Sequence, residues 1–270
     1  MKSLFAASVT LILLLASCSK DYLIQLPPNE SKLVVECYLE DGRPMCALIS
    51  ESKALLDTST IPPLIISAFV VITHGTEIDT LLPFAYVDVE QRRAYNFGNP
   101  KIVRVNYLDA TNYRIDVVDK KGRRVSAVTH FIKPVQIESL TPTFNNNNEA
   151  FCYTKFKDDP AAVNYYRLVF NKNSVNDSIS LEALISDNLA NDNNEIIYGS
   201  GYDFKNGDSI HARLFHLTND YYNYLNTRQT VIAALINPFA VSGEIVSNIK
   251  GGLGVFAALS YTQKSVAVRK

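Results

Sequence analysis

Tryptophan is absent from this chain of 270 residues, methionine occurs twice and histidine four times. Without indole rings the commonest platform for stacking a sugar face is missing, although fifteen tyrosines can supply rings instead. The four histidines, His74, His130, His211 and His216, show no metal-ligating spacing, and there is no HExxH, CxxC or paired Cys/His set. His211 and His216 are five apart, so on a strand they face opposite sides. Neither sign of charge dominates: 26 Lys and Arg against 27 Asp and Glu leave a formal net charge of -1. That balance sets up no long-range field for nucleic acid or an acidic membrane. Arg92-Arg93 and Arg123-Arg124 are isolated pairs, not a basic stripe. A Gly-x-Ser-x-Gly element is also missing. Gly251-Gly252-Leu253-Gly254 lacks the Lys-Ser/Thr of a phosphate loop and reads as a tight bend that lets Asn248 and the backbone pass close to a helix. These absences remove the familiar catalytic sets, so no enzymatic activity, nucleic-acid partner, metal or other cofactor is expected.

What is present is concentrated first at the N-terminus. Lys2 opens it, residues 4–16 are apolar around Leu11-Ile12-Leu13-Leu14-Leu15, and Leu15-Ala16-Ser17 immediately precede Cys18. The layout reads as a lipoprotein signal peptide over residues 1–17, cut before Cys18, with acyl chains of the palmitate kind then attached to that cysteine. It is too short for an ordinary membrane span, and no later apolar run is long enough to cross. Each buried lipid methylene contributes about 0.8 kcal/mol, and two chains give stable anchoring. The expected membrane partner is therefore reached through lipid on Cys18. Ser19 argues against retention at the inner membrane, and Lys20-Asp21 resembles the surface-export signal of Bacteroidota lipoproteins. The expected location is the outer membrane, lipid-anchored, with the export-like pair pointing to the cell surface. Residues 18–31, with Pro27-Pro28, read as a tether. The thirteen residues after Cys18 span at most about 43 Å.

The remainder is 47% hydrophobic over the whole chain, enough for a real core, and its periodicity is that of strands. Residues 32–40, 44–52, 65–73, 77–82, 101–107, 113–119 and 123–131 alternate or run apolar between turn residues, which predicts a β-sandwich domain over 32–133. Pro134, Pro142 and the run Asn145-Asn146-Asn147-Asn148 mark residues 134–149 as a linker. Residues 150–270 read as a second β-rich domain with strands at 151–157, 165–171, 180–186, 208–217 and 254–261. It carries one helix over 218–235, capped by Thr218 or Asn219, with Tyr221, Leu225, Arg228, Ile232 and Leu235 near one face.

Asp41-Gly42 between two alternating runs predicts a two-residue hairpin loop. That register sets Cys37 opposite Cys46 in a non-hydrogen-bonded pair, with Cα atoms about 4.5 Å apart. A disulfide just reaches over that distance, and two free thiols on one buried face are the alternative. Cys152, between Phe151 and Tyr153, reads as a core thiol. Asp158-Asp159-Pro160 offers two carboxylates for calcium or acid-base work, or else a solvated turn; Asp187, Asp192 and Glu195 are the next acidic group. The tyrosines are the remaining signal. Tyr165 and Tyr166 point to opposite faces of their strand, and Tyr221, Tyr222 and Tyr224 ring the helix start. Tyr166, Tyr222 and Tyr224 are the candidate ligand or partner surface, unless these rings seal the helix onto the sheet.

Three stretches carry a family resemblance: residues 32–42, KLVVECYLEDG; residues 158–167, DDPAAVNYYR; and residues 247–256, SNIKGGLGVF. In order and spacing they resemble the Bacteroidota outer-membrane lipoproteins grouped as domain of unknown function four-two-four-nine, across nearly all of the chain after Cys18. Cys37 stands where that group usually has glycine, and so does Ala257. The resemblance implies a first domain like an immunoglobulin sandwich or the regulatory sandwich of carboxypeptidases, an unknown ligand, and frequent encoding beside TonB-dependent receptor barrels. It implies no catalytic residues. The function expected is a non-enzymatic accessory to such a receptor in nutrient capture or uptake. A structural or adhesive surface module is the alternative, and a hydrolase with a site assembled around Asp158 and Asp159 is a third.

Overall fold

The computed structural model describes residues 30–53, 59, 61–89, 92–237 and 243–270. The signal peptide, Cys18 and the tether up to residue 29 lie outside the described residues. Among them run fifteen strands: β1 Leu33–Glu40, β2 Pro44–Glu51, β3 Ala68–His74, β4 Glu77–Asp88, β5 Arg93–Ile102, β6 Asn112–Asp119, β7 Arg124–His130, β8 Ile137–Phe144, β9 Glu149–Lys157, β10 Tyr165–Lys172, β11 Ile179–Ser186, β12 Glu195–Gly199, β13 Phe204–Lys205, β14 Ser209–Leu217 and β15 Leu253–Ala267. The described residues hold one α-helix, Asn219–Ile236, capped by the Thr218 hydroxyl accepting from the Tyr221 amide. The fold is mainly β, and Ser31–Lys270 forms one compact unit.

The first half is a β-sandwich made by one long path of strands, β15-β1-β2-β5-β4-β3-β6-β7. β4 turns the corner between layers. Its first part pairs with β3 up to Leu81, its last part pairs with β5 from Leu82, and the register breaks between Pro83 and Tyr86. A proline and a bulge at that point release the ladder and bend the strand. Leu33, Val35, Leu39, Met45, Ala47, Ile49 and Phe97 of one layer then meet Val70, Ile72, Leu81, Ile115, Val117 and Val125 of the other in one buried cluster. Alternate residues on each strand supply this core, as expected of an antiparallel sandwich.

The second half packs β10, β11, β14 and the end of β15 against a small sheet of β8, β9, β12 and β13. Residues 134–149 are thus not a linker: they contain β8, an edge strand that pairs with β9 and tolerates Pro142 because an edge need not use every amide. β15 joins the halves. Residues 253–259 pair in parallel with β1, and residues 260–267 pair with β14. The helix covers the outer face of this shared sheet through Tyr221, Tyr224 and Leu225, packed on Val169, Phe215, Val255, Ala257 and Leu259. Ile232 and Leu235, expected on the same face, are exposed, so only the first two turns dock.

The hairpin between β1 and β2 corrects the expected disulfide. Cys37 pairs with Ala47, not Cys46, because the loop takes three residues, Asp41-Gly42-Arg43. One residue of slip flips every side chain. Cys37 enters the first core while Cys46 points out of the opposite face, and both are free thiols. Burial pushes the Cys37 thiol far above its usual range.

Arg123 pins the start of β1. Its Nη1 donates to the Ser31 carbonyl at 2.8 Å, its Nε to Asp119 at 2.8 Å, and its Nη2 to Glu51. Hydrogen bonds from Lys121 and Arg123 hold the Glu51 carboxyl down to about 2 from the usual 4.5. A depressed carboxyl stabilises the fold above its unfolded pKa, and that contribution disappears as pH falls through the folded value. Urea midpoints are expected to fall between about pH 4.5 and pH 2. Glu51→Gln is expected to lower the midpoint at pH 7 and to flatten that acid slope; an unchanged slope would show that other acids carry it.

Candidate functional site

The outward face of β2, β5 and β4 is apolar where a sandwich ordinarily turns polar residues to water. Pro44 and Cys46 from β2, Gly98 to Pro100 and Ile102 from β5, and Leu82 to Phe84 and Tyr86 from β4 line an open groove of about 580 Å³. Small-molecule sites span roughly 300–1,000 Å³. Leu82 is 64% exposed and Phe84 54%. Gly98 makes the floor: a Cβ there would lie 3.2 Å from Phe84 Cδ1 and 3.6 Å from the Cys46 sulfur. Phe84, Tyr86 and Tyr95 form a row of near-parallel rings, with centroids 6.1 and 6.2 Å apart. The polar side chain in the wall is already engaged. Asn99 donates to the Thr80 carbonyl at 2.9 Å and accepts from the Lys101 amide at 2.9 Å.

At the Tyr86 end the groove meets a polar recess of about 20 Å³, room for roughly one water. Here Arg43 donates to Glu40 at 3.1 Å and to Asp88 at 3.0 Å, and the Tyr261 hydroxyl donates to Glu40 at 3.0 Å. Arg93 lies over the Tyr38 ring, 3.5 Å from its centroid. The acid side chains of Glu40 and Asp88 are 9% and 8% exposed, whereas Arg43 is 27% exposed. Burial, with Asp88 adding to it, pushes the Cys46 thiol up to about 11, so it stays protonated at neutral pH.

His74, Glu77 and Asp79 bring ligand atoms within 4.8 Å of one another. A tethered cation already serves them. Lys101 Nζ bonds Glu77 and lies 3.0 Å from Asp79, whose other contact is His74 Nε2 at 2.8 Å. The ammonium supplies the positive charge that two neighbouring carboxylates need.

Two of the three candidate surface tyrosines are interior. Tyr166 is fully buried, stacked on His216 and edge-on to Phe156, and its hydroxyl donates to Asp158 at 2.6 Å. Tyr224 is buried under the helix, while Tyr222 is half-buried and stacked on Tyr165 at 4.5 Å. Rings at the helix start therefore act mainly as a seal, because a helix that docks by two turns must bury its largest side chains there. Asp158 and Asp159 also hold structure. Asp158 serves Tyr166, and Asp159 accepts from the Ala161 amide at 3.0 Å in the turn before β10. His216 donates from Nδ1 to the Lys133 carbonyl at 2.8 Å, tying β14 to the segment after β7, and burial pulls its pKa below the usual value. Glu195 pairs with Lys155 at 2.6 Å.

The glycines of the bend before β15 lie against strands, while the chain leading into it passes the helix, where the Val246 amide donates to the Thr227 hydroxyl at 3.0 Å. A Cβ at Gly251 would sit 2.8 Å from the Arg124 carbonyl, and one at Gly252 would sit 2.6 Å from the Leu33 carbonyl. Asn248 bonds both backbone groups of Phe256, at 2.7 and 2.9 Å, and the Ser126–Lys250 bridge closes the sandwich. Residues 158–167 and 247–256 are thus folding elements. A family model described as "Domain of unknown function (DUF4249)" matches residues 19–265. The chain belongs to the DUF4249 family. The resemblance read from three short stretches therefore extends through both halves of the DUF4249 fold.

No curated protein matches the sequence. Among solved structures, a cytokine receptor complex in crystal form 1A is similar over 86% of this chain and 95% of that chain, at 10% identity and a TM-score of 0.26. The FN1–FN3 domains of chicken CNTN1 are similar over 90% of this chain and 69% of that chain, at 12% identity and a TM-score of 0.27. Murine CEACAM1b covers 70% and 93%, at 15% identity and a TM-score of 0.19. The sandwich architecture rests on the strand order of this chain itself.

The strand expected over residues 77–82 stops before Pro83, whereas β4 runs on to Asp88, so the sequence does not anticipate the groove. The signal flanks Pro83: Leu82, Phe84 and Tyr86 alternate with Ala85 and Val87, apolar on both faces. A strand apolar on both faces and at the surface has something to cover or to bind.

Proposed function

We propose that this DUF4249 protein is a non-enzymatic lipoprotein of the outer membrane, held by acyl chains on Cys18, that assists a TonB-dependent receptor in capturing or passing a nutrient. The leader ending Leu15-Ala16-Ser17-Cys18 carries the reading. Acylation at that residue holds a folded body on a membrane without crossing it, and no helix among the described residues is long and apolar enough to cross. The apolar groove supports a binding role, since its polar neighbours are ion-paired or capped and Cys46 is a protonated thiol. The receptor partner follows from the gene neighbourhood usual in the family.

Two measurements test it. A clickable fatty-acid analogue is expected to label the wild-type chain in cells, and Cys18→Ala is expected to abolish the label and release the protein from the membrane fraction. Mild detergent extraction is then expected to co-purify a receptor barrel with the wild type. Equal labelling of the alanine variant would remove the anchor; an anchored protein that enriches no barrel would remove the receptor.

A further inference from the structure

We propose that Arg92, Arg93, Arg167 and Arg213 enclose a binding site for a doubly charged tetrahedral oxyanion, a phosphate or sulfate group. The inference goes beyond the reading above and needs neither the anchor nor the receptor. The pair Arg92-Arg93 is isolated along the chain, and folding brings it two more guanidiniums from the second half. Arg167 of β10 pairs in register with Phe215 of β14, and Val169 with Arg213, so Arg167 and Arg213 emerge on one face of the sheet. That face is the one the helix seals at Val169 and Phe215. The turn into β5 meets this side of the molecule, where Arg92 donates to the Asn176 carbonyl at 3.2 Å and to the Ser178 hydroxyl at 3.4 Å. The four arginines line a pocket of about 60 Å³. That is room for roughly four water-sized atoms, the number of oxygens a phosphate or sulfate brings.

The charge of the ligand follows from the lining. Four guanidiniums face the pocket, and Asp177 is the acid in its wall. Glu182, bonded to Arg167 Nε at 2.7 Å, brings a second carboxylate. Four positive charges against two negative leave an excess of two, in a chain whose net charge is -1. Little water reaches the inner pair: Arg213 is 5% exposed and the Arg167 side chain 13%. Arg92 bonds uncharged oxygens, and Arg93 lies over the Tyr38 ring with the Tyr95 hydroxyl as its hydrogen-bond partner, so neither adds a carboxylate. Like charges gathered out of water repel, and an opposite charge between them relieves that repulsion. Stacking occupies only the flat face of Arg93, and its donors lie in the plane. A dianion with four oxygens matches both the charge excess and the room, whereas a carboxylate supplies one charge and two oxygens.

The test is calorimetric titration of the purified full chain in maltoside micelles, which carry no phosphate, at constant ionic strength and about pH 8, where a phosphate group carries about two charges. The titrants are inorganic phosphate, methyl phosphate and acetate. Inorganic phosphate is expected to bind at least about tenfold more tightly than acetate, a difference of about 1.4 kcal/mol. Arg92→Asn removes an exposed guanidinium and suits the left-handed backbone at φ +52°, so the fold is retained. It is expected to weaken phosphate about tenfold, the loss of one hydrogen bond between charged groups. Arg213→Gln is expected to abolish binding, and Arg92→Asn decides alone if that buried variant does not fold. Arg124→Gln removes the same charge from an exposed position on β7 and is expected to change nothing. Methyl phosphate binding as tightly as the inorganic ion marks a soluble ester as the source of the group. Sedimentation of the Cys18→Ala chain with phosphatidate vesicles above phosphatidylcholine vesicles, lost on adding Arg92→Asn, marks a lipid headgroup. Equal affinity for phosphate and acetate, no binding of phosphate, or an Arg124→Gln variant as weak as Arg92→Asn would overturn the proposal.

Discussion

Replacing Gly254 by alanine is expected to cost at least about 4 kcal/mol, enough to leave much of the protein unfolded or insoluble. Two constraints meet at this residue. Its φ is +106°, a region that residues with a Cβ rarely enter, and the added carbon would stand 2.1 Å from the Val35 carbonyl oxygen. Val35 faces Gly254 in the parallel β1–β15 ladder and is fully buried in the first core, so neither strand can retreat. β15 is also the strand that joins the two halves, which makes a local separation there a global one. Gly207 is the control. Its φ is +97°, yet nothing lies within 4 Å of its virtual Cβ. Gly207→Ala should show the backbone strain alone, roughly 1–2 kcal/mol. Urea unfolding of the two variants separates the effects. Equal losses would mean that the close approach to Val35 is relieved at little cost.

The same residue shows which parts of the fold were legible. The closing stretch SNIKGGLGVF carried the family resemblance, and its glycines were recognisable as a bend, but the partner of the bend was not. Close approach depends on strand order, and strand order here is set by residues more than 200 positions apart: β1 against β15. Alternation identified most strands because each has one buried face. It does not reach β5, Arg93–Ile102: the strand expected nearby starts only at residue 101, past the polar Asn96 and Gly98-Asn99-Pro100. Asn96 is instead buried, trading bonds with both backbone groups of Ile49 at 2.8 and 2.9 Å, so a polar side chain completes a ladder. The Cys37–Cys46 pairing failed by a single residue of loop length, which local propensity does not encode. The groove needed both missed features at once: β4 continuing past Pro83 and β5 lying beside it. The candidate site was therefore the least legible part of the molecule, although each residue in its walls was plain in the sequence.

The helix seal leads to the second large effect. Tyr221→Ala is expected to cost about 3–5 kcal/mol, the range for removing a large buried ring. Tyr221 is 1% exposed and is the deepest of the three side chains by which the helix docks. Beyond Leu225 the helix shows mostly exposed residues, Leu235 among them, so nothing further along can compensate. The ring also stands edge-on to Tyr38, 6.1 Å between centroids, and Tyr38 carries Arg93 on its face. Its loss should therefore reach the polar end of the groove as well as the fold. Tyr222, half-buried and stacked on Tyr165, supplies the comparison, with an expected cost of about 1 kcal/mol for Tyr222→Ala. Hydrogen exchange over residues 219–236 should accelerate in the Tyr221 variant while the first core stays protected. If both variants lose the same stability, the helix is held by its stacked outer ring and not by the buried one, and the coupling from helix to recess through Tyr38 has no anchor.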